Sequence, residues 1–338
     1  MTLPESLPSL LRSLLFEAGA CGVGIAPCLP VPESEWNLYE DWISRGHHAG
    51  MGYMTNYPDV RRDPGLLLPR ARSIIMTAFR YPSPADLVYE PRQVKWARYA
   101  VGDDYHDIIR RRLTQVTESL SQIIRDADRE SSGPEGQAFR VTVDTAPLRE
   151  RYHAWRAGIG YFGLNGQLIV PGIGSSVLIG AIVTTLDLPA SLPLTPTPSP
   201  ACRRCGRCLA ACPGHALDGR GGVDARRCLS FLTIESRAPE LSEATIDHLR
   251  ATGRLYGCDI CQEVCPLSSP SGHTDSDLLP TTQINPRSEV IPEFAPRPAL
   301  LGLSPDDIRQ MDQPLFSATF ARSAIKRAKL AGLKRNSR

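Results

Sequence analysis

The chain of 338 residues lacks the features that direct a protein into a membrane or out of the cell. No apolar run approaches the ~20 residues that a membrane-spanning helix needs. The N-terminus, MTLPESLPSLLRSLLFEAGACGVGIAP, has neither a basic stretch before its apolar segment nor a twin-arginine pair. It therefore does not resemble an export signal, and we predict a cytoplasmic protein. Because that compartment is reducing, disulfide bonds between its cysteines are disfavoured.

A strong overall charge is missing as well. The formal net charge is only +2, so composition alone is weak evidence for any charged partner. Basic residues are instead clustered locally, as RRR at 110–112 and as KRAKLAGLKRNSR at the C-terminus. Such clusters either contact phosphates or are solvated helix faces, and the sequence leaves both interpretations open.

Composition divides the chain into four segments. Residues 1–188 mix helical patterns such as YHDIIRRRLTQVTESLSQIIRDA with strand-like apolar runs such as SSVLIGAIVTT, which predicts a domain of helices and strands. Residues 189–201 form a Pro-rich linker. Residues 202–270 hold eight of the ten cysteines. Residues 271–338 begin with a Pro- and Ser-rich loop and continue into terminal helices, the first of which, SPDDIRQM, has a serine N-cap.

The cysteines carry the most specific signal in the sequence. The run CRRCGRCLAACP, from Cys202 to Cys212, has the spacing C-x2-C-x2-C-x3-C-P. In two-cluster ferredoxins this spacing aims three thiolates at one 4Fe–4S cluster, and the fourth cysteine ligates the other cluster. A second run, Cys258 to Cys265, ends in the same C-x3-C-P pattern but has one cysteine too few. Cys228 is the nearby candidate for the missing ligand.

Exchanging the terminal cysteines of the two runs gives two complete ligand sets. One predicted set is Cys202, Cys205, Cys208 and Cys265. The other is Cys212, Cys228, Cys258 and Cys261. Structural zinc sites also use C-x2-C pairs, but four cysteines so closely spaced before a proline favour iron–sulfur. The two remaining cysteines, Cys21 and Cys28, are predicted to be buried apolar residues.

Several stretches resemble the cobalamin-dependent epoxyqueuosine reductases, a family of tRNA-modifying enzymes. The similar stretches are HHAGMGYMTNYPDVRRDPGLLLPRARSIIMTAFRY, ARYAVGDDYHDIIRRRL, VDTAPLRERYHAWRAGIGYFGLNGQLI, CLSFLTIE, GCDICQEVCP and SAIKRAKLAGLKRN. The chain departs from the family where Leu164 replaces a common lysine, and where Leu267 and Ser268 follow the last Cys-Pro. The resemblance implies an α+β fold class. An N-terminal α/β cobalamin-binding domain is followed by a ferredoxin-like module with two 4Fe–4S clusters and a short helical C-terminus.

The resemblance also implies an activity. The expected reaction is the reduction of epoxyqueuosine to queuosine in the anticodon wobble position of tRNA, which takes two electrons and two protons. The implied cofactors are cobalamin, whose cob(I) state is a strong nucleophile and reductant, and two 4Fe–4S clusters that recharge it. The expected partners are a queuosine-family tRNA with a GUN anticodon and a small electron donor such as flavodoxin or ferredoxin. We expect a monomer.

Site residues are assigned by the same resemblance. Asp144, which follows the apolar run FRVTV, is the expected proton donor, because burial beside an apolar corrin raises the pKa of a carboxyl group. The alternative role for Asp144 is to cap a turn. The residues expected near the cofactor are Arg61, Asp104, Tyr105, His106, Asn165, Leu168 and Ser230. The residues expected to hold tRNA phosphates are Arg237, Lys326, Arg327 and Lys329, with Lys334 and Arg335. Because no D-x-H-x-x-G motif is present, we expect no histidine ligand on the cobalt.

Two other classes of protein fit parts of the sequence. A cobalamin-dependent reductive dehalogenase of small organohalides shares the corrin and the paired clusters. Such enzymes typically carry a twin-arginine signal, however, and use a tyrosine rather than an aspartate as the proton donor. An electron-transfer protein accounts for the clusters but not for residues 1–188, which a simple carrier does not need.

Overall fold

The computed structural model describes residues 7–90, 93–127, 138–194, 198–268, 283–285 and 287–338. The helices are α1 (Leu7–Glu17), α2 (Glu33–Ser44), α3 (Pro58–Arg62), α4 (Tyr105–Ala127), α5 (Glu150–Arg156), α6 (Pro200–Cys205), α7 (Arg207–Ala211), α8 (Leu229–Ile234), α9 (Glu243–Thr252), α10 (Ile260–Glu263), α11 (Pro298–Leu301), α12 (Pro305–Gln310), α13 (Gln313–Thr319) and α14 (Lys329–Asn336). The strands are β1 (Ala20–Pro27), β2 (Ser73–Arg80), β3 (Lys95–Trp96), β4 (Phe139–Thr142), β5 (Tyr161–Phe162), β6 (Leu168–Ile169), β7 (Val177–Thr184) and β8 (Arg254–Tyr256). This mixture confirms the predicted α+β class.

The N-terminal part is built on a four-stranded sheet with the order β1-β2-β7-β4, in which all neighbouring strands are antiparallel. Helices α1 and α4 cover one face, and α5 covers the other. The strands are apolar along almost their whole length because both faces are covered. The close packing needs glycine at Gly180, where a Cβ atom would lie 2.7 Å from Ile109 of α4. The sheet and α4 thus fix the relative positions of the end of β4 and the start of α4.

The cysteine-rich segment and the C-terminal helices share a core with the N-terminal part. Strand β3 pairs in parallel with β8, and one apolar cluster contains Trp96, Tyr256, Phe320 and Leu333. The indole nitrogen of Trp96 donates a hydrogen bond to the carbonyl oxygen of Leu300 at 3.0 Å. These contacts hold the cysteines in a defined position against the sheet domain. The four-segment division remains a prediction.

Several local predictions are confirmed. Ser304 caps α12 in a capping box with Asp307. Cys21 and Cys28 are buried among apolar residues. Residues 195–197 of the predicted linker, and residues 271–282 and 286 of the predicted loop, lie outside the described residues. None of the described helices combines the length and apolarity that crossing a membrane requires.

Candidate active site and cluster sites

The cysteines of the first predicted set lie together. Burial raises the pKa of the Cys202 thiol, and the neighbouring thiols of Cys265 and Cys205 raise it further. Burial likewise raises the pKa of Cys208 to about 11, and Cys202 and Cys265 contribute to the increase. Cys265 is thus a neighbour of the first cysteine run, although more than fifty residues separate them in the sequence.

The second set is also brought together. Burial raises the pKa of Cys228, and the nearby thiol of Cys212 adds to this effect. Burial raises the pKa of Cys258 to about 12, and Cys228 is one of the charges that raise it. The pKa of Cys261 is raised by burial and by Cys258 and Cys228. The last cysteine of the first run therefore lies with the second run.

The surroundings of these thiols suit iron–sulfur clusters. The backbone N–H of Leu164 lies 3.4 Å from the Cys202 sulfur, and that of Ala216 lies 3.3 Å from the Cys212 sulfur. Hydrogen bonds to cluster sulfurs are one way in which proteins set cluster potentials. Across the described ranges, no three His, Cys, Asp or Glu side chains are arranged around a single ion.

Asp144 follows β4 and faces the first turn of α4. Its Oδ2 atom lies 3.1 Å from Nε2 of His106, and Nδ1 of His106 lies 2.7 Å from Oδ1 of Asp104. The same Asp104 oxygen accepts a hydrogen bond from the backbone N–H of His106 at 3.1 Å. We call Asp104, His106 and Asp144 the carboxylate–imidazole row. Asp144 has a φ of 56°, a left-handed conformation that is uncommon for residues other than glycine and recurs at functional sites.

Hydrogen bonding within the row determines where the proton resides. The hydrogen bond from His106 lowers the pKa of Asp144, although burial acts in the opposite direction. Partial burial lowers the pKa of His106, but hydrogen bonds to Asp104 and Asp144 outweigh it and raise the pKa to about 9. Near neutral pH, the proton therefore resides on the imidazole. In this arrangement the Asp144 side chain is 60% exposed and is paired with a cation, so hydrogen bonding rather than burial sets its protonation state. Its role as proton donor beside a corrin stays a prediction.

A second carboxyl group behind Asp144 behaves differently. The backbone N–H of Asp144 donates to Oε1 of Glu150 at 2.6 Å. Burial, together with the negative charge of Asp144, raises the pKa of Glu150 to about 8. Glu150 is thus the carboxylic acid that is neutral near pH 7. Glu150 was not predicted as a site residue, although a glutamate six residues after Asp144 at the start of a helix was a usable signal.

Tyrosines connect the row with the second cysteine set. The ring of Tyr105 stacks on His106 with 4.0 Å between centroids, and Tyr99 packs edge-on against Tyr105 at 5.9 Å. The Tyr99 hydroxyl donates to the Tyr256 hydroxyl at 3.2 Å. Tyr256 ends β8, two residues before Cys258. The second cysteine set therefore lies just behind the wall of the candidate site.

Arg61, another residue expected near a cofactor, supports a loop close to Asp144. Arg61 donates to the carbonyl oxygens of Asn56 at 2.9 Å and Tyr53 at 2.8 Å, so it braces the loop that carries Tyr53. The Tyr53 ring lies under the guanidinium of Arg327 at 5.6 Å. The charge of Asp144 is close enough to contribute to a raised pKa of Tyr53, although burial contributes more.

Three predicted residues contact the protein interior instead. Asn165 is buried, and its amide nitrogen lies 3.5 Å from the carbonyl oxygen of Cys261. Leu168 is buried in the apolar core beneath the sheet, so its side chain is not available to a ligand. The backbone N–H of Ser230 donates to the sulfur of Cys228.

The predicted RNA-binding residues fall into two groups. Lys326, Arg327 and Lys329 are exposed, and Arg327 also pairs with Glu235 at 2.8 Å. Arg237 is exposed, but its guanidinium donates to backbone carbonyl oxygens, including that of Arg327 at 2.9 Å.

Among the basic residues of the C-terminal tail, Lys334 is half-buried. The expectation for Arg335 is wrong. This side chain is buried and donates to the carbonyl oxygens of Leu232, Ser236 and Ala238.

Two family models match the chain. Residues 61–145 match the family described as "Epoxyqueuosine reductase QueG, DUF1730", and residues 201–268 match the "4Fe-4S double cluster binding domain". The epoxyqueuosine reductase of Gloeobacter violaceus is 37% identical over 297 residues, which cover 88% of this chain and 84% of the relative. That of Cellulophaga algicola is 33% identical over 343 residues, covering 99% and 98%.

Solved structures agree with this relationship. An epoxyqueuosine reductase crystallised with an epoxyqueuosine-modified tRNA-Tyr stem loop has a TM-score of 0.79 and 26% identity, covering 98% of this chain and 80% of that one. The Bacillus subtilis enzyme, with its catalytic aspartate loop swung out of the active site, has a TM-score of 0.76, 26% identity and the same coverage. Fold and cysteine sites together define an iron–sulfur oxidoreductase. The chain belongs to the epoxyqueuosine reductase family.

Proposed function

We propose that this chain reduces epoxyqueuosine to queuosine at the wobble position of tRNAs with a GUN anticodon. The epoxide takes up two electrons and two protons, the oxygen leaves as water, and an alkene remains. The observation that carries the proposal is the carboxylate–imidazole row, which ends at the exposed Asp144. Ring and hydroxyl contacts of Tyr105, Tyr99 and Tyr256 lead from the row to the strand that ends two residues before Cys258. This connection supports a proton source and an electron source that serve one site.

The residues around the row fit a corrin. Exposed rings of Tyr53 and Tyr57 on the loop braced by Arg61 offer apolar area for a large flat group. Both ring nitrogens of His106 are engaged by carboxylates, so this histidine has no free lone pair for cobalt. We assign cobalamin contacts to Arg61, Asp104, Tyr105, His106 and Ser230. The buried Asn165 and Leu168 support these residues from the protein interior. When bound, cobalamin supplies the nucleophile and reductant that removes the oxygen.

The protein delivers protons through the row. Opening of the epoxide leaves an alkoxide. Its proton comes from Nε2 of the His106 imidazolium, which lies 3.1 Å from the Asp144 carboxylate, and passes through that carboxylate to the alkoxide. Asp104 holds the imidazole in place through Nδ1, as a carboxylate does for a catalytic histidine in other enzymes. Glu150 provides a second protonated carboxyl behind Asp144.

We test the proposed function with protein reconstituted anaerobically with iron, sulfide and cobalamin. The protein is reduced and incubated with tRNA that carries epoxyqueuosine, and its nucleosides are analysed by mass spectrometry. Loss of one oxygen mass from the modified nucleoside is the expected result. An unchanged nucleoside from protein fully loaded with both cofactors would contradict the function.

The His106→Gln variant tests proton supply. Because the pKa of His106 is raised to about 9, the wild-type single-turnover rate should fall as the pH rises through about 9. The variant should be slower by at least about tenfold near neutral pH and should lack this alkaline decrease. The matched control is His248→Gln, on α9. Identical pH profiles for wild type and His106→Gln would remove His106 from the proton path.

The same group also affects stability. Its folded-state pKa is raised from 6.5 to about 9, so its stabilising contribution is complete below pH 6.5 and is lost as the pH rises to about 9. The difference in unfolding free energy between wild type and His106→Gln should therefore shrink across this window. Chemical denaturation at several pH values measures it.

The exposed basic residues near the C-terminus are proposed to hold the anticodon stem. Lys326 and Lys329 flank Arg327, whose guanidinium reaches the Tyr53 ring beside Asp144, and Arg237 lies next to them. The Lys326→Ala/Lys329→Ala variant should bind tRNA more weakly and lower the slope of log affinity against log salt by about 2. Fluorescence anisotropy at several salt concentrations measures this slope. An unchanged slope would place the RNA elsewhere.

A further inference from the structure

Cys205 differs in position from the other predicted cluster ligands. It is the exposed one of the eight, whereas its set partners Cys202 and Cys208 are buried. Gly206 follows it with a φ of 63°, and no atom lies within 4 Å of the place where its Cβ would be. The turn between α6 and α7 is therefore exposed to solvent, and it places one predicted ligand of the first set at the surface.

Arginines lie on both sides of this turn, in α6 and α7, and in the loop whose Gly219 lies next to Leu209 of α7. Arg203, Arg204, Arg207 and Arg220 are exposed, and we call them the arginine surface. Residues 198–220 contain these four arginines and one acidic residue, Asp218, a formal charge of +3 in a chain whose net charge is +2. Within the ranges that the structure describes, neither Arg204 nor Arg207 has an ion-pair partner. The surface is thus a local positive field, in which the charges of Arg204 and Arg207 are not neutralised by an ion pair within the described residues.

We propose that the arginine surface docks an acidic one-electron carrier protein, which donates electrons next to Cys205. Complementary charge steers such partners and sets their orientation. At each encounter the carrier loses one electron and the protein gains one, so two encounters supply the two electrons of one deoxygenation. This inference rests on the proposed function only through the presence of the clusters.

The position of the surface favours a protein carrier over RNA. The substrate base has to reach Asp144, and the second cysteine set lies behind that site, next to Tyr256. Cys205 belongs to the first set, whose Cys202 contacts the Leu164 backbone. The first cysteine set therefore reaches the surface, and the second lies towards the Asp144 site. An electron carrier has to approach a cluster at the surface, whereas an anticodon loop has to reach the Asp144 site.

The test uses the protein with both clusters assembled, and an acidic flavodoxin in its reduced form as the probe. Stopped-flow absorbance follows cluster reduction in wild type, in Arg204→Glu/Arg207→Glu and in the control Arg12→Glu/Arg125→Glu. The control changes the charge equally but on α1 and α4, which cover the sheet face opposite α5. We expect the arginine-surface variant to be reduced at least about tenfold more slowly at low salt, and the control to stay within about twofold of wild type. The wild-type rate should also fall as salt rises.

Two further measurements separate the possible outcomes. Reduction by a small chemical reductant should be equal in all three proteins, and tRNA affinity should be unchanged. Equal rates with flavodoxin in all three proteins would overturn the proposal, as would a loss confined to tRNA binding, which would make this an RNA surface. If the charge reversal lowers iron content, Arg204→Gln/Arg207→Gln replaces it. Because cluster reduction is read directly, the result stands even if epoxyqueuosine is not the substrate.

Discussion

The Asp144→Asn variant is expected to convert epoxyqueuosine at least about a hundredfold more slowly than wild type. Asparagine keeps the size of the side chain and its contact with His106, but it cannot pass a proton to the alkoxide. Single-turnover nucleoside mass spectrometry measures the rate, and iron and cobalamin contents are measured on the same samples. The loss should appear in the rate, with both cofactors retained.

Asparagine is chosen because it should leave the backbone conformation at position 144 unchanged. Asp144 has a φ of 56°, and asparagine is among the few residues that tolerate this conformation, so the backbone should not move. The control is Asp187→Asn, which removes an exposed carboxylate paired with Arg72 at 2.7 Å. A normal rate for Asp144→Asn would exclude Asp144 as the donor, and Glu150→Gln would then become the variant to examine.

The cysteines and the active-site acid were predictable from the sequence to different degrees. The cysteine spacing, taken as that of a two-cluster ferredoxin, predicted that Cys265 lies with the first run and Cys212 with the second, and these thiols are neighbours in the structure. The protonation state of Asp144 was not predictable, since it depends on His106, which lies 38 residues away and on a different element. Glu150 was missed for the same reason, because its raised pKa comes from burial and from the charge of Asp144.

For the basic residues, too, the sequence did not predict which side chains are exposed. A pattern rich in Lys and Arg at the C-terminus predicted a phosphate-binding surface. It could not distinguish Lys326, which is exposed, from Arg335, which is buried and bonded to three carbonyl oxygens. Arginine often holds chain segments together in this way, because its fork of donors satisfies several backbone acceptors at once. Only tertiary packing separates the two roles.

Paired cysteine substitutions should reveal how the clusters share their ligands. If Cys202 and Cys265 bind the same cluster, the Cys202→Ala/Cys265→Ala variant loses two ligands from one cluster and keeps the other intact, with about four irons. The Cys202→Ala/Cys212→Ala variant should instead damage both clusters. Iron analysis and electron paramagnetic resonance of the reduced proteins distinguish an undamaged cluster from two altered ones.

The physical basis is the position of the two terminal cysteines. Cys265 lies close enough to Cys202 and Cys208 to raise their pKa values, after burial, whereas Cys212 acts on Cys228. A Cys21→Ala/Cys28→Ala control removes two buried thiols outside the cluster sites and should keep about eight irons. If the outcomes of the two test variants are reversed, each cluster uses the cysteines of its own run. The route of electrons from Cys205 towards the Asp144 site would then have to be redrawn.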